Sequence, residues 1–447
     1  MERSTTQQDF WERNRLTIKG ITIGFLIIVL LIPTVFIQNL VRERKLRQQQ
    51  VINEVSGKWA GAQTIQGPFL VIPYQEFTKD DKGKLNIIRH TAYFLPENLN
   101  ITGALLPEIR YRSIYKIVVY KSDLSITGNF SPLNFSELNI NPSTILWNEA
   151  RVCLGLNDTR GIEDQIKFKW NGGDIPFDAG MPANTLTGSG VNATIKFEKD
   201  SSQVNQFFIQ LKLKGSEKLF FTPLGKQTMV SIQSPWTNPA FDGNFLPGKR
   251  IVNEKGFTAD WNILHYNRNI PQSWTDGDYE TGNSAFGINL LQGTDSYSQT
   301  MRSVKYAILF IALTFAVFFF LEILQKRSVH PLQYILVGLA LCVFYTLLLS
   351  FSEYMLFNIS YLIAAAATIM LITLYSKSLF LKWSIAGLFG LFLSLLYSFI
   401  FILIRLQDGA LLFGSIGLFL LLAAVMYYSR KIDWFGKNLQ TERELAG

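Results

Sequence analysis

The sequence predicts an α+β membrane protein, in which a six-helix transmembrane portion carries a large antiparallel β-rich domain. One apolar segment opens the chain, five more lie close together near its end, and a polar block with strand-like patterning separates them. Charged residues make up only 17% of the 447 residues, whereas 35 residues are Phe. The mean hydropathy of +0.17 is high for a soluble protein.

The predicted membrane spans are long, nearly uncharged and apolar on every side, which is typical of helices in lipid. A bilayer core requires roughly 20 apolar residues per helix. After a cytoplasmic N-terminus at 1–20, the first span is predicted at 21–37. Its apolar run is longer than a signal-peptide core and ends without a small-residue cleavage pattern, so an uncleaved anchor is favoured over a signal peptide. The C-terminal bundle, 304–428, contains the other five predicted spans, 306–323, 332–350, 355–374, 384–404 and 410–428.

Basic residues in the short loops predict the orientation. With six spans and a cytoplasmic N-terminus, Lys and Arg concentrate on the cytoplasmic side, including the tail at 429–447, whereas the short outer loops hold only Arg405. The positive-inside rule predicts this asymmetry, and the large domain is therefore expected outside the cytoplasm. The net charge of +8 is spread along the chain and flanks the spans, so no nucleic-acid partner is predicted.

Between the first span and the bundle, the pattern changes from helix to strands. Residues 38–57 predict a solvated helical stalk, because 38–55 contains neither Gly nor Pro. Residues 58–303 predict the β-rich domain, in which alternating apolar residues at 207–213 indicate a half-buried strand. Its size and turn spacing fit an antiparallel sandwich, as either two packed sheets or two small lobes. A lobe boundary, if present, is expected in the Gly-rich stretch 171–190.

No arrangement of residues predicts a reaction. The three histidines, His90, His265 and His330, do not form ligand pairs with one another or with either cysteine, so no metal site is predicted. The segment 276–280 resembles the start of a calcium loop but lacks its sixth-position Gly and twelfth-position Glu. Phosphate-binding and dinucleotide-binding fingerprints are also missing from the sequence. We therefore expect no catalytic residues, no cofactor and no enzymatic activity, with Cys153 a small buried residue.

Two groups of residues near the bilayer allow alternative interpretations. Four basic residues of the stalk could contact anionic headgroups or form a solvated helix face, namely Arg42, Arg44, Lys45 and Arg47. Four small residues recur every fourth position in the fifth span and could form a close helix contact or a groove for lipid, namely Ala386, Gly390, Ser394 and Ser398.

Polar residues in the spans are expected to form ion pairs or hydrogen bonds with one another. Glu322 lies near a span end and can pair with Lys326, and no charge is placed at mid-bilayer, which argues against a proton relay. Asn358, Tyr345 and Tyr397 lie in mid-span, and interhelical hydrogen bonds explain them as well as a polar groove for a lipid or peptide does.

Several short segments form an ordered set along the chain. They include 59–74, with Trp59, Gly67, Pro68 and Tyr74; 223–226; 241–247, with Phe241, Asp242, Gly243 and Pro247; and 305–310, 330–334 and 430–434. This ordered set resembles the CreD family of inner-membrane proteins. The resemblance implies a multi-pass protein of the bacterial inner membrane with its large domain in the periplasm. It also implies a role in cell-envelope integrity and the envelope-stress response, including colicin tolerance, and it brings no accepted catalytic residues.

The leading expectation is an envelope protein that binds membrane lipids or a periplasmic or envelope protein without catalysis. The first alternative is a transporter or lipid-handling protein that uses the C-terminal bundle. The second is a membrane-bound hydrolase of envelope polymers that uses His90 or His265. The oligomeric state stays open.

Overall fold

The computed structural model describes residues 15–79, 85–182, 186–197, 203–277, 279, 281–290, 296–325, 327–406 and 409–430. Lys326, Asp278, Glu280, the first 14 residues and the tail from 431, which includes most of the segment 430–434, lie outside these residues. The described chain forms two compact units. The helical unit falls within Met1–Arg47 and Thr294–Gly447, and the β unit within Gln48–Gly293.

One N-terminal and five C-terminal apolar helices confirm the predicted membrane fold class. The helices are α1 Arg15–Trp59, α2 Ser296–Lys305, α3 Ala307–Leu324, α4 Pro331–Ser352, α5 Phe357–Phe380, α6 Trp383–Arg405 and α7 Ala410–Ser429. Helices α1 and α3 to α6 are long and apolar enough to cross a membrane, while α7 has a shorter described apolar stretch, Ala410–Leu420. Helix α1 has 45 residues and continues without a break through the predicted stalk.

Helix α1 packs into the helical unit along one stripe. The buried positions recur every three or four residues, as Ile23, Leu26, Leu30, Thr34, Ile37 and Val41. A Cβ at Gly338 of α4 would lie 2.1 Å from Leu30 Cδ1, so Leu30 packs closely against α4 at this glycine.

The short helix α2 corrects the predicted border of the β-rich domain. Residues 296–303 were expected in that domain, but they are helical and contact α4 and α6 within the helical unit. The buried face of α2 includes Tyr297, Thr300 and Val304. Because most residues of α2 are polar, a search for apolar spans does not detect it.

The β unit is a sandwich of two sheets, named A and B. The strands are β1 Gln63–Lys79, β2 Leu85–Phe94, β3 Asn98–Arg112, β4 Tyr115–Phe130, β5 Arg151–Leu156, β6 Lys167–Trp170, β7 Gly173–Asp174, β8 Asp178–Ala179, β9 Gly190–Thr194, β10 Asn205–Ser216, β11 Lys218–Thr222, β12 Gln227–Ser234, β13 Ala240–Gly243, β14 Lys249–Asn253, β15 Gly256–Leu264, β16 Ser273–Thr275 and β17 Phe286–Asn289. Sheet A has the order β13-β17-β11-β1-β5-β9-β8, with β2 pairing both β1 and β16. Sheet B has the order β14-β15-β12-β3-β4-β10-β6-β7.

A single core cluster contains buried side chains from both sheets, which corresponds to two packed sheets rather than two lobes. The stretch 171–190 is therefore not a lobe boundary; its described residues include the crossing from β7 of sheet B to β8 of sheet A. Pairing is also not purely antiparallel, because β1 pairs with β11 and β12 with β3 in parallel. A period-two pattern identifies a strand without specifying the direction of its neighbour.

Candidate functional site

The β1–β2 hairpin extends past the rest of sheet A. Residues 75–79 and 85–89, here called the arm, pair only with each other among the described strands. On one face of the arm Phe77 is paired with Ile87, and Lys79 with Leu85. Phe77, Leu85 and Ile87 are 54%, 59% and 61% exposed, so three large apolar side chains form a contiguous exposed patch. Sequence reasoning missed the arm, although apolar alternation on both sides of a Gly-containing turn is a hairpin signal.

At the base of the arm, His90 is held between two carboxylates. Its Nε2 lies 3.0 Å from Glu76 Oε2, and its Nδ1 is hydrogen-bonded to Asp276. Asp276 also accepts a 2.9 Å hydrogen bond from the Thr91 N–H, and the Tyr74 ring stacks on His90 with centroids 5.3 Å apart. The hydrogen bond to Asp276 raises the pKa of His90 above its usual value. Both ring nitrogens therefore face anions, an arrangement that favours an imidazolium bridge.

The other candidate chemical groups are held in structural positions. His265 begins a 3₁₀ turn after β15 and its ring lies 3.8 Å from that of Tyr266, whereas His330 caps α4 by accepting from the Leu332 N–H at 3.2 Å. Cys153 is completely buried in β5, and burial raises the pKa of its thiol to about 12. The described residues contain no group of three or more His, Cys, Asp or Glu that could hold a metal ion.

Trp59 anchors the C-terminal end of α1 in the β unit. The Arg110 guanidinium lies 4.0 Å from the centre of the Trp59 ring and the Lys214 ammonium 5.1 Å, both within cation–π range. Arg160 Nη1 donates a 2.6 Å hydrogen bond to the Gly57 carbonyl, which satisfies an acceptor at the negative end of the helix dipole. Trp59 therefore has a structural position in this unit.

Gly67 and Pro68 belong to an irregularity in β1. The register between β1 and β5 shifts between Gln66 and Phe69. Gly67 has a φ of 122°, and a Cβ there would lie 3.0 Å from the Cys153 carbonyl oxygen. Only glycine readily adopts this conformation.

The segment 241–247 carries the chain from β13, at the edge of sheet A, to β14, at the edge of sheet B. The Phe241 ring contacts the rings of Phe257 and Trp261, and so covers the core at this corner. Gly243 has a φ of 96°, and a Cβ there would lie 2.4 Å from the Ala285 carbonyl oxygen. Asp242 lies 4.0 Å from Lys218, while Pro247 is half-buried in the connection.

Arg268 is a buried cation that sequence reasoning did not single out. Its Nη2 donates to the Leu224 carbonyl at 2.8 Å and its Nη1 donates to the Ile270 carbonyl, so it fixes the segment 223–226. Burial lowers the pKa of Arg268 to about 10, which leaves it charged at neutral pH.

In the helical unit, a buried ion pair joins α1 to α3. Glu322 is 5% exposed, and Lys19 of α1 donates to its Oε1. Tyr334 donates to Oε2 at 2.8 Å, and the Val329 N–H to Oε1 at 2.9 Å. The predicted partner, Lys326, lies outside the described residues; the observed partner is distant in sequence, and no local pattern reveals it.

A second set of contacts fixes α1 further along its length. Arg44 lies 3.9 Å from Glu353, which also accepts a 3.2 Å hydrogen bond from the Tyr297 hydroxyl. Lys45 donates to Ser298 Oγ at 3.0 Å. Arg44 and Lys45 thus have protein partners in α2 and after α4. Arg42 and Arg47 are exposed, and a lipid contact there stays a prediction.

The stripe of small residues in α6 meets α5 at its centre. A Cβ at Gly390 would lie 2.6 Å from Thr373 Oγ1, and Ala386 is completely buried. Ser394 and Ser398 donate to the carbonyls of Gly390 and Ser394 in their own helix, at 2.9 and 2.8 Å. Close packing accounts for the half of the stripe near Gly390, and a lipid groove stays a prediction.

The hydrogen bond that links α5 to α6 is not made by the side chains that the sequence singled out. The Tyr361 hydroxyl of α5 donates to the Tyr397 carbonyl of α6 at 2.8 Å. The Tyr345 hydroxyl is buried and has no partner within the described part of the chain, and Asn358 is exposed. The Tyr397 hydroxyl likewise has no partner among the described residues, so only the backbone of Tyr397 takes part in an interhelical bond, and a bond from Asn358 stays a prediction.

Comparison with known proteins identifies similar sequences along almost the whole chain. The family model described as inner membrane protein CreD matches residues 15–435. The inner membrane protein CreD of Escherichia coli (strain K12) is 32% identical over 419 residues, which cover 92% of each chain. Among solved structures, an M1 zinc metallopeptidase from Deinococcus radiodurans covers 38% of each chain at 9% identity, and its TM-score of 0.19 supports no conclusion.

Proposed function

Because this chain belongs to the CreD family of inner membrane proteins, we propose that it supports cell-envelope integrity by binding a periplasmic protein through the arm, without catalysis. The observation that carries the proposal is the exposed apolar face of the arm, formed by Phe77, Leu85 and Ile87. The basic residues of the short loops support a periplasmic position for the β unit.

A protein surface suits the arm better than lipid does. Apolar side chains at the centre of a patch with charged residues around them are typical of protein interfaces. Lys79 and Arg89 lie on the same face of the arm as the patch, and Arg89 is paired with Glu149. A stable complex buries roughly 800 Å² per partner. Three side chains are too few for that area, so the arm would supply the core of a larger or transient contact.

The environments of Cys153 and His90 in the β unit favour a binding function over a catalytic one. A thiol with a pKa of about 12, as at Cys153, is almost entirely protonated at neutral pH and is a poor nucleophile. His90 has a carboxylate at each ring nitrogen, which leaves neither nitrogen directed at a substrate as a base.

The test is photo-crosslinking in living cells from single positions on the arm. A photoreactive residue at Phe77 or Ile87 should give the same protein adduct, whereas one at Asn86, exposed on the opposite face of the same strand, should not. The double variant Phe77→Ser, Ile87→Ser should accumulate normally but lower the resistance of the cells to envelope stress. Asn86→Ser should leave this resistance unchanged. Equal adducts from all three positions would refute the arm as the binding surface. Adducts with lipid alone would assign it to the membrane instead.

A further inference from the structure

A cleft of about 460 Å³ lies at one edge of the β sandwich, away from the arm. At this edge the strands β6 and β7 end sheet B, and β9 and β8 end sheet A. The side chains that line the cleft include Trp170, Asp174, Lys196, Phe197, Gln203 and Asn205. The volume is within the range of roughly 300 to 1,000 Å³ that is usual for small-molecule sites.

Two opposite charges line the cleft without neutralising each other. Asp174 comes from β7 of sheet B, and Lys196 follows β9 of sheet A. Both are exposed, and neither forms an ion pair with the other or with another described residue. An anionic carboxylate and a cationic ammonium are therefore both available to a ligand in the same space.

Aromatic rings and side-chain amides form the remaining walls of the cleft. Trp170 is 5% exposed and Phe197 is half-buried, and their ring centroids are 6.0 Å apart. Asn205 is buried; its Nδ2 donates to the Gln203 carbonyl at 3.2 Å, and its Oδ1 accepts from Asn171 Nδ2 at 2.9 Å. The Trp170 indole N–H has no acceptor in the described chain. The amide wall is thus held in place from within, while neither charge has an ion-pair partner among the described residues.

We propose that this cleft binds a short zwitterionic ligand of the amino-acid or dipeptide class. Asp174 pairs with the ligand ammonium, Lys196 pairs with its carboxylate, and the aliphatic part lies against Phe197. A wholly anionic ligand would be repelled by Asp174, and a wholly apolar one would bury two charges without partners, which is unfavourable. The cleft shares no residue with the arm, so this proposal does not depend on partner binding there.

The test is calorimetric titration of the full-length protein in detergent with L-alanyl-L-alanine, its N-acetyl form and its C-terminal amide. Each blocked form removes one charge and should bind about tenfold more weakly, since charge-assisted hydrogen bonds are the stronger class. Asp174→Asn should abolish the preference for the free amine, and Lys196→Met the preference for the free carboxylate. Phe197→Ala should weaken all three ligands alike.

Lys249→Met, an exposed lysine on the opposite edge of sheet B, is the matched control and should bind as the unchanged protein does. Circular dichroism of each variant shows whether the fold is retained. The proposal is overturned if the free dipeptide does not bind, or if it binds no better than its two blocked forms.

Discussion

Removal of the Glu322 carboxylate should destabilise the helical unit. Glu322→Ala removes the acceptor of Lys19, Tyr334 and the Val329 N–H at once. Loss of one partner from a buried ion pair costs roughly 3–5 kcal/mol, because the other charge stays buried. The Lys19 side chain is 17% exposed and lies near the start of α1, so its ammonium can partly reach water. We therefore expect a loss of about 3 kcal/mol.

The assay is reversible unfolding of the purified protein in mixed micelles, combined with a double-mutant cycle. Lys19→Met alone leaves Glu322 two donors and should cost about 1–3 kcal/mol. Glu322→Ala should then cost clearly less in the Lys19→Met background than in the unchanged protein. Ser398→Ala, at an exposed position of α6, is the control and should change stability by less than about 0.5 kcal/mol. The reasoning is refuted if Glu322→Ala resembles this control, or if its effect is the same in both backgrounds.

Three further predictions follow from individual contacts. Because the pKa of His90 is raised, its contribution to the stability of the β unit is complete below the unfolded value near 6.5 and is lost as pH rises through the folded value. His90→Asn should remove this dependence in unfolding curves recorded from pH 5.5 to 9, and an unchanged dependence would contradict the assignment. At Gly390 even a Cβ would overlap Thr373, so Gly390→Leu should cost about 1–3 kcal/mol and lower accumulation. A Cβ at Gly387 on the same helix meets no atom within 4 Å, so Gly387→Leu is the control and should cost less. Normal accumulation with loss of function in Gly390→Leu would favour the lipid groove instead. Arg268→Met leaves the Leu224 and Ile270 carbonyls without their donor and should lower the thermal midpoint of the β unit, while Arg250→Met, on an exposed edge strand, should not.

The membrane helices were predictable because their signal is local. Roughly 20 apolar residues identify a span whatever the rest of the chain does. Helix α2 escaped this criterion, since its burial depends on a single stripe that includes Tyr297 and Val304. Strands were likewise recognisable from alternation, as in β10, where Phe207, Ile209 and Leu211 are buried. The parallel pairing of β1 with β11 was not, because strand direction is set by distant partners.

The candidate sites were less predictable because they form between residues that are remote in sequence. Asp276 approaches His90 from 186 positions away, and Lys19 approaches Glu322 from 303. The family-like positions Gly67 and Gly243 could be expected at turns, and both adopt a positive φ. The sequence does not show which atoms these two glycines approach. The exposure of Phe77 and Ile87 was equally hidden, since an apolar residue in a strand is normally expected to face a core.

The pairing of Lys19 with Glu322 has a consequence for biogenesis. The two residues leave the ribosome 303 positions apart. At a synthesis rate of roughly 5–20 residues per second, Glu322 is made about 15 to 60 s after Lys19. Throughout that interval the first helix is in the bilayer with its future contact face directed at lipid or at the insertion machinery. Insertion of this helix and its assembly with the later ones are therefore separate events in time, with the folding of the entire sandwich able to take place between them.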